Sequence, residues 1–132
     1  MVGEGGWARA LLLATLLVPF VVYAARDFKI HLALRKPGHA ENAVHVLLGA
    51  GQAALVVQAF RGDFARLAMA VAFVAVWGMV DELAFHRGLP AVESDVHAKA
   101  HMALFAFAGG ALLAAAFPSA AAIVRVVRPG SP

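Results

Sequence analysis

Apolar residues fall into four long runs separated by short polar stretches. The first, WARALLLATLLVPFVVYAA, covers Trp7–Ala25; the others cover Ala43–Phe60, Phe64–Val80 and His101–Phe117. A bilayer-spanning helix needs about 20 residues, within a range of about 17–25. Each run sits at the short end of that range, so the helices must extend into the polar residues that flank them. The expected spans are 7–26, 42–60, 64–85 and 96–117. The pattern predicts an all-α integral membrane protein: a four-transmembrane-helix antiparallel bundle with short loops, forming a single membrane domain over 1–132 with a disordered tail at 128–132.

The connections support that reading. RGD joins the second and third runs as a tight hairpin, KPGHAEN carries a Pro-Gly turn signal, and HRGLPAVES holds Gly88 and Pro90. Gly49, Gly51, Gly109 and Gly110, with many alanines, allow close approach of membrane helices. Pro19 is a candidate kink in the first helix. The first run reads as a retained span and not a signal peptide: it is long, and Glu4 interrupts the basic leader a signal requires.

Composition agrees with a membrane class. The chain is 62% hydrophobic and 14% charged, where soluble domains average about 45–50% and about 25%. Its mean hydropathy is +0.79. The absence of cysteine excludes disulfides, thiolate metal sites and Cys nucleophiles. The net charge of +3 does not indicate nucleic acid, because the basic residues are scattered singly with no stacking aromatics between them.

Four antiparallel spans bring the end of the first helix, the start of the second, the end of the third and the start of the fourth to one membrane face. Every histidine falls there: His31, His39, His45, His86, His97 and His101. So do Asp27, Glu41, Asp81, Glu82, Glu93 and Asp95, which leaves only Glu4 and Asp63 at the other face. An acid precedes a histidine by four residues at Asp27/His31, Glu41/His45, Glu82/His86 and Glu93/His97, and His101 follows one turn after His97. Residues at that spacing share a helical face. By depth, Asp27, His45, Asp81 or Glu82, and His101 form a deeper layer, and His31, Glu41, His86 and His97 an outer one. Mixed imidazole and carboxylate suit Zn, Fe or Mn.

The expected metal ligands are His45, Glu82, His86, His97, His101 and Glu41, with Asp81 and Glu41 as candidate general bases or ligand-orienting groups. His39 reads as a bystander in its turn, and His31 and Asp27 as weaker candidates because Lys29 and Arg35 suggest a solvated segment. Asp95 is placed as a cap of the fourth helix. The Glu-x-x-His signature of soluble di-iron bundles is not met, since three residues intervene here and not two. The number of ions, one or two, stays open.

A single zinc ion on His45, His97 and His101 would leave a fourth position for water, whose pKa zinc lowers towards about 7. That set, with Asp81 in VDELAF, resembles in outline the CREST membrane hydrolases, the superfamily of alkaline ceramidases and progestin/adiponectin receptors. The resemblance implies zinc-dependent hydrolysis. It is a likeness of chemistry over a handful of residues: that family has seven helices, its Ser four residues before the first histidine is Glu41 here, and the interval from His45 to Asp81 is longer.

Two further classes compete with a Zn- or Fe-dependent hydrolase or oxidoreductase. His45 and His101, at similar depth on different helices, are candidate axial ligands of a haem b. Intramembrane acids and histidines also mark metal or proton routes, but beyond the deeper layer only Gln52, Gln58 and Thr15 continue the polarity. Transport therefore calls for a homo-oligomer. The expected partners are the lipid bilayer and a lipid-like substrate meeting the site at the lipid–water boundary. Arg26, Lys29, Arg35, Lys36, Arg87 and Lys99 flank the site face, and Arg9, Arg61, Arg66, Arg125 and Arg128 the other. The basic first connection leans towards a cytoplasmic site.

Overall fold

The computed structural model describes residues 4–34 and 36–117. The tail at 128–132, and the charges of Arg35, Arg125 and Arg128, lie outside the described residues. Four helices account for nearly all of the rest: α1 (Glu4–Leu34), α2 (His39–Arg61), α3 (Phe64–Ala84) and α4 (Ala91–Ala116). All four are long and apolar enough to cross a membrane, which makes a multi-pass membrane protein the natural reading.

The helices overrun the expected spans chiefly at the histidine end. α1 continues through Pro19, Asp27 and His31 to Leu34. At 1.5 Å per residue its 31 residues reach about 46 Å, against a hydrocarbon core of about 30 Å. α4 begins five residues earlier than expected, at Ala91. Asp95 is therefore not its cap. Pro90 holds that position with no side-chain cap bond, and the Asp95 carboxylate instead accepts from Lys99 Nζ at 2.6 Å, one turn on. Asp63 does cap α3, accepting the Arg66 amide at 3.1 Å.

α1 packs along α4 and α2 along α3, and the two pairs touch each other more sparingly. Small residues set the first kind of contact. A Cβ on Gly51 would lie 2.6 Å from the Phe73 ring, and one on Gly110 would lie 2.5 Å from Leu16. The core runs up the middle of the bundle through Leu13, Leu55, Leu67, Leu104 and Phe107. Large apolar side chains such as Trp7, Leu11, Met102 and Phe105 are about 70% exposed, as expected where the surrounding solvent is lipid.

The ends of the bundle differ. At one, the tight α2–α3 turn closes on Gly62 in the left-handed region (φ 79°), and Arg9 of α1 donates to the Ala59 carbonyl at 2.6 Å. At the other, the end of α1, start of α2, end of α3 and start of α4 converge, so consecutive helices run antiparallel.

Candidate metal centre

Five histidines and five carboxylates meet at that second end. His31, Glu41, Asp81, His86 and Glu93 are all less than 10% exposed. Buried ionisable groups are tolerated only when paired or ligated. The imidazoles form a continuous strip: ring centroids are 5.0 Å apart from His31 to His45, 5.9 Å from His45 to His86, and 4.4 Å from His86 to His97 and from His97 to His101.

The partners of these histidines come mainly from other helices. His31 on α1 donates through Nδ1 to Glu93 on α4 at 2.9 Å. His97 on α4 donates through Nδ1 to Asp27 on α1 at 2.7 Å. These two bonds cross-link the α1–α4 pair in reciprocal fashion. His45 on α2 faces Asp81 on α3 through Nε2 at 3.3 Å. Of the acid–histidine pairs four residues apart, Glu82 and His86 approach to 3.9 Å, and Glu41 and His45 offer ligand atoms within 4.8 Å of each other. The spacing of four residues thus puts acid and imidazole on one face, while the shortest contacts of His31 and His97 reach acids on other helices.

Because a carboxylate only accepts, His31 carries its proton on Nδ1 towards Glu93. Its Nε2 points at Glu41 Oε1, 3.4 Å away. His31 Nε2 and Asp81 Oδ1 are buried and make no hydrogen bond among the described residues. Two atoms each about 2.0–2.1 Å from a four-coordinate ion lie about 3.3 Å apart. The separations His45 Nε2–Asp81 Oδ1 (3.3 Å), His86 Nδ1–Asp81 Oδ2 (3.2 Å), His31 Nε2–Glu41 Oε1 (3.4 Å) and His101 Nδ1–Glu82 Oε1 (3.5 Å) match that value. A tighter contact, His97 Nε2 to Glu82 Oε1 at 2.6 Å, is a hydrogen bond.

Three sets of residues have geometry able to hold an ion: His31, Glu41 and His45; His45, Asp81 and His86; and Glu82, His97 and His101. The first two share His45. The three imidazoles expected to bind one zinc ion therefore fall into different sets, with His45 apart from His97 and His101. Asp81 and Glu82, adjacent in sequence, serve neighbouring sets. The two expected depth layers have merged into one strip, because Asp27 reaches His97 and His86 reaches Asp81.

Every residue of the expected ligand set lies in the cluster. His39 is exposed at the first position of α2, outside it. His31 and Asp27 do not lie in a solvated segment: α1 extends past the apolar run and carries both into the bundle, and Lys29 stays on its exposed side. Glu93, outside the expected ligand set, also lies in the cluster. It is 1% exposed, and its signal was present as the acid before His97, but its partner is His31.

A cavity of about 270 Å³ opens beside the strip, lined by Asp27, His31, His45, Asp81, His97 and His101 among others. Gly49 adds to it by having no side chain, with nothing within 4 Å of where a Cβ would stand. Fold and site together define a membrane-capable four-helix bundle with a His/carboxylate cluster at one end. No family model, curated protein or solved structure matches the chain.

Proposed function

We propose that the chain is a small membrane metalloenzyme whose His/carboxylate cluster holds Zn or Fe at one membrane face. The observation that carries this reading is the set of inward donor atoms 3.2–3.5 Å apart, backed by carboxylates on the far nitrogens of His31 and His97. A carboxylate behind a metal-binding imidazole fixes its tautomer and raises its basicity. One ion fits among His45, Asp81 and His86, with His31 and Glu41 beside them, and a second at Glu82, His97 and His101.

Such ions activate water for hydrolysis when they are zinc, or oxygen for oxidation when they are iron. The protein's own groups do the rest. Glu93 and Asp27 orient His31 and His97, and Glu41 Oε1, between His31 and His86 at 3.4 and 4.0 Å, is placed to take a proton. The substrate is lipid-like, because the site opens at the lipid–water boundary, and we assign that boundary to the cytoplasmic side from the basic first connection. Bare ions account for the carboxylates better than haem does: Asp81 and Glu82 stand against His45 and His101, where a macrocycle needs apolar room.

Elemental analysis and an absorption spectrum of the purified protein test this. The expected result is on the order of two equivalents of Zn or Fe per chain, with ligand separations of the four-coordinate type. His45→Ala and His101→Ala should each remove about half, since they belong to different sets. A Soret band would replace the ions with haem. Folded protein that takes up neither Zn nor Fe would overturn the proposal.

A further inference from the structure

The loose seam between the two helix pairs leaves a second cavity, which adjoins the one beside the histidine strip at Leu48, Gln52, His101 and Leu104. It lies between α2, α3 and α4 and measures about 300 Å³. Its walls are almost wholly apolar. They run along α3 from Val71 past Ala75 and Gly78 to Glu82, roughly eleven residues or about 16 Å of helix axis. Met79 and Phe105, 63% and 67% exposed, stand at its rim and leave it open sideways to lipid. The polar groups in its walls are Gln52, Glu82 and His101. Glu82 and His101 belong to one of the ion-binding sets.

We infer that this groove holds one hydrocarbon chain of a single-chain amphiphile, with an oxygen-bearing head, a carboxylate or an alcohol, at Glu82 and His101. The inference rests on the metalloenzyme reading for the head and names the substrate class of that site. The shape selects the occupant. A packed helix is about 10–12 Å across and would need several times this volume over the same length. A single chain matches the narrow bore, the apolar shaft and the polar end. In lipid such burial gains little hydrophobic free energy, because the chain leaves surroundings as apolar as those it enters. The groove therefore acts by aligning the chain so that its head meets the ligand set, which is the positioning a catalyst requires.

Gly78 and Ala75 keep the shaft open. Nothing lies within 4 Å of where a Cβ on Gly78 would stand, so a larger side chain there fills the groove and does not clash with the bundle. The test uses the full chain in lipid nanodiscs and palmitic acid carrying a photoreactive diazirine at mid-chain. Irradiation followed by peptide mapping should place label on α3 and α4 at the groove, competed by unlabelled palmitate. Gly78→Leu, and independently Ala75→Leu, should reduce that label at least tenfold while metal content stays unchanged. Val76→Leu, a change at an exposed position outside the groove, should leave it intact. Label spread evenly over the lipid-facing helices, or unaffected by both groove-filling variants, would overturn the inference even if metal is bound. Groove label that persists in protein lacking any metal would instead retain the chain site and remove the metalloenzyme reading.

Discussion

At the scale of single residues, the cluster separates groups that face inward from groups that hold them in place. Glu93 belongs to the second kind. It is buried and accepts from His31 Nδ1 at 2.9 Å, which aims His31 Nε2 at Glu41. Glu93→Gln keeps an oxygen to accept that bond but removes the charge. Metal affinity should fall by about 10–100-fold, the usual cost of losing a partner behind a ligand, with little change in thermal stability. Competition against a chelator of known affinity would measure it; an unchanged affinity would mean that His31 takes no part. Glu93→Leu should also destabilise the protein, by about 1–3 kcal/mol, because a buried N–H loses its acceptor. Gly62 is a purely structural counterpart at the opposite end. Its φ of 79° lies in the left-handed region, and a Cβ there would run into the Arg9 guanidinium. Gly62→Ala should cost about 1–3 kcal/mol, read from the thermal midpoint in detergent, with metal content unaffected.

At the scale of helices, glycines with the same sequence signature do opposite work. Gly51 is a contact, with the Phe73 ring 2.6 Å from its missing Cβ. Gly78, with open space at that position, is a gap. Gly51→Leu must therefore push α2 from α3, costing about 1–3 kcal/mol from overpacking, and Gly78→Leu should be near neutral. Comparing the two unfolding midpoints distinguishes contact from gap; equal losses would contradict the assignment. That distinction was not legible in the sequence, because it depends on which face each helix turns to its neighbour. The four helices themselves were legible, since each apolar run is long enough to make a helix of membrane-spanning length. Their polar ends were read less well. Asp27 and His31 looked solvated beside Lys29, yet hydrogen bonds to α4 draw them inward and α1 continues to Leu34. The four-residue spacing of acids and histidines located the cluster correctly in the chain. It could not give the pairing, because partners such as Asp27 and His97 are set by the register between helices, which no local spacing encodes.

At the scale of the whole molecule, the cluster ties together two helix pairs that otherwise meet sparingly. Cross-links within α1–α4 run through His31–Glu93 and Asp27–His97, and within α2–α3 through His45–Asp81. Contacts between the pairs run through His31–Glu41, on α1 and α2, and His97–Glu82, on α4 and α3. An ion at His31, Glu41 and His45, or at Glu82, His97 and His101, would fasten one pair to the other, whereas one at His45, Asp81 and His86 alone stays within the α2–α3 pair. Chelation should therefore lower the thermal midpoint of the bundle, by an amount that grows with the free metal concentration before chelation. At 100 times the dissociation constant, binding contributes about 2.7 kcal/mol. Protons enter the same balance. At 2.6 Å, the hydrogen bond between His97 Nε2 and Glu82 leaves no space for an ion between them, so loading the Glu82, His97 and His101 set must break that bond and displace its proton. Metal binding should release protons into a weakly buffered medium, and acidification should reverse it, because ligand nitrogens and carboxylates bind an ion only when deprotonated. The sign follows directly: metal retention rises with pH, and the midpoint of the metal-loaded protein falls on acidification more than that of the chelated protein. Calorimetry in two buffers of different ionisation enthalpy would count the protons released. Glu82→Gln should reduce that count as well as the affinity, whereas a proton count of zero in the unaltered protein would show that His97 does not serve as a ligand.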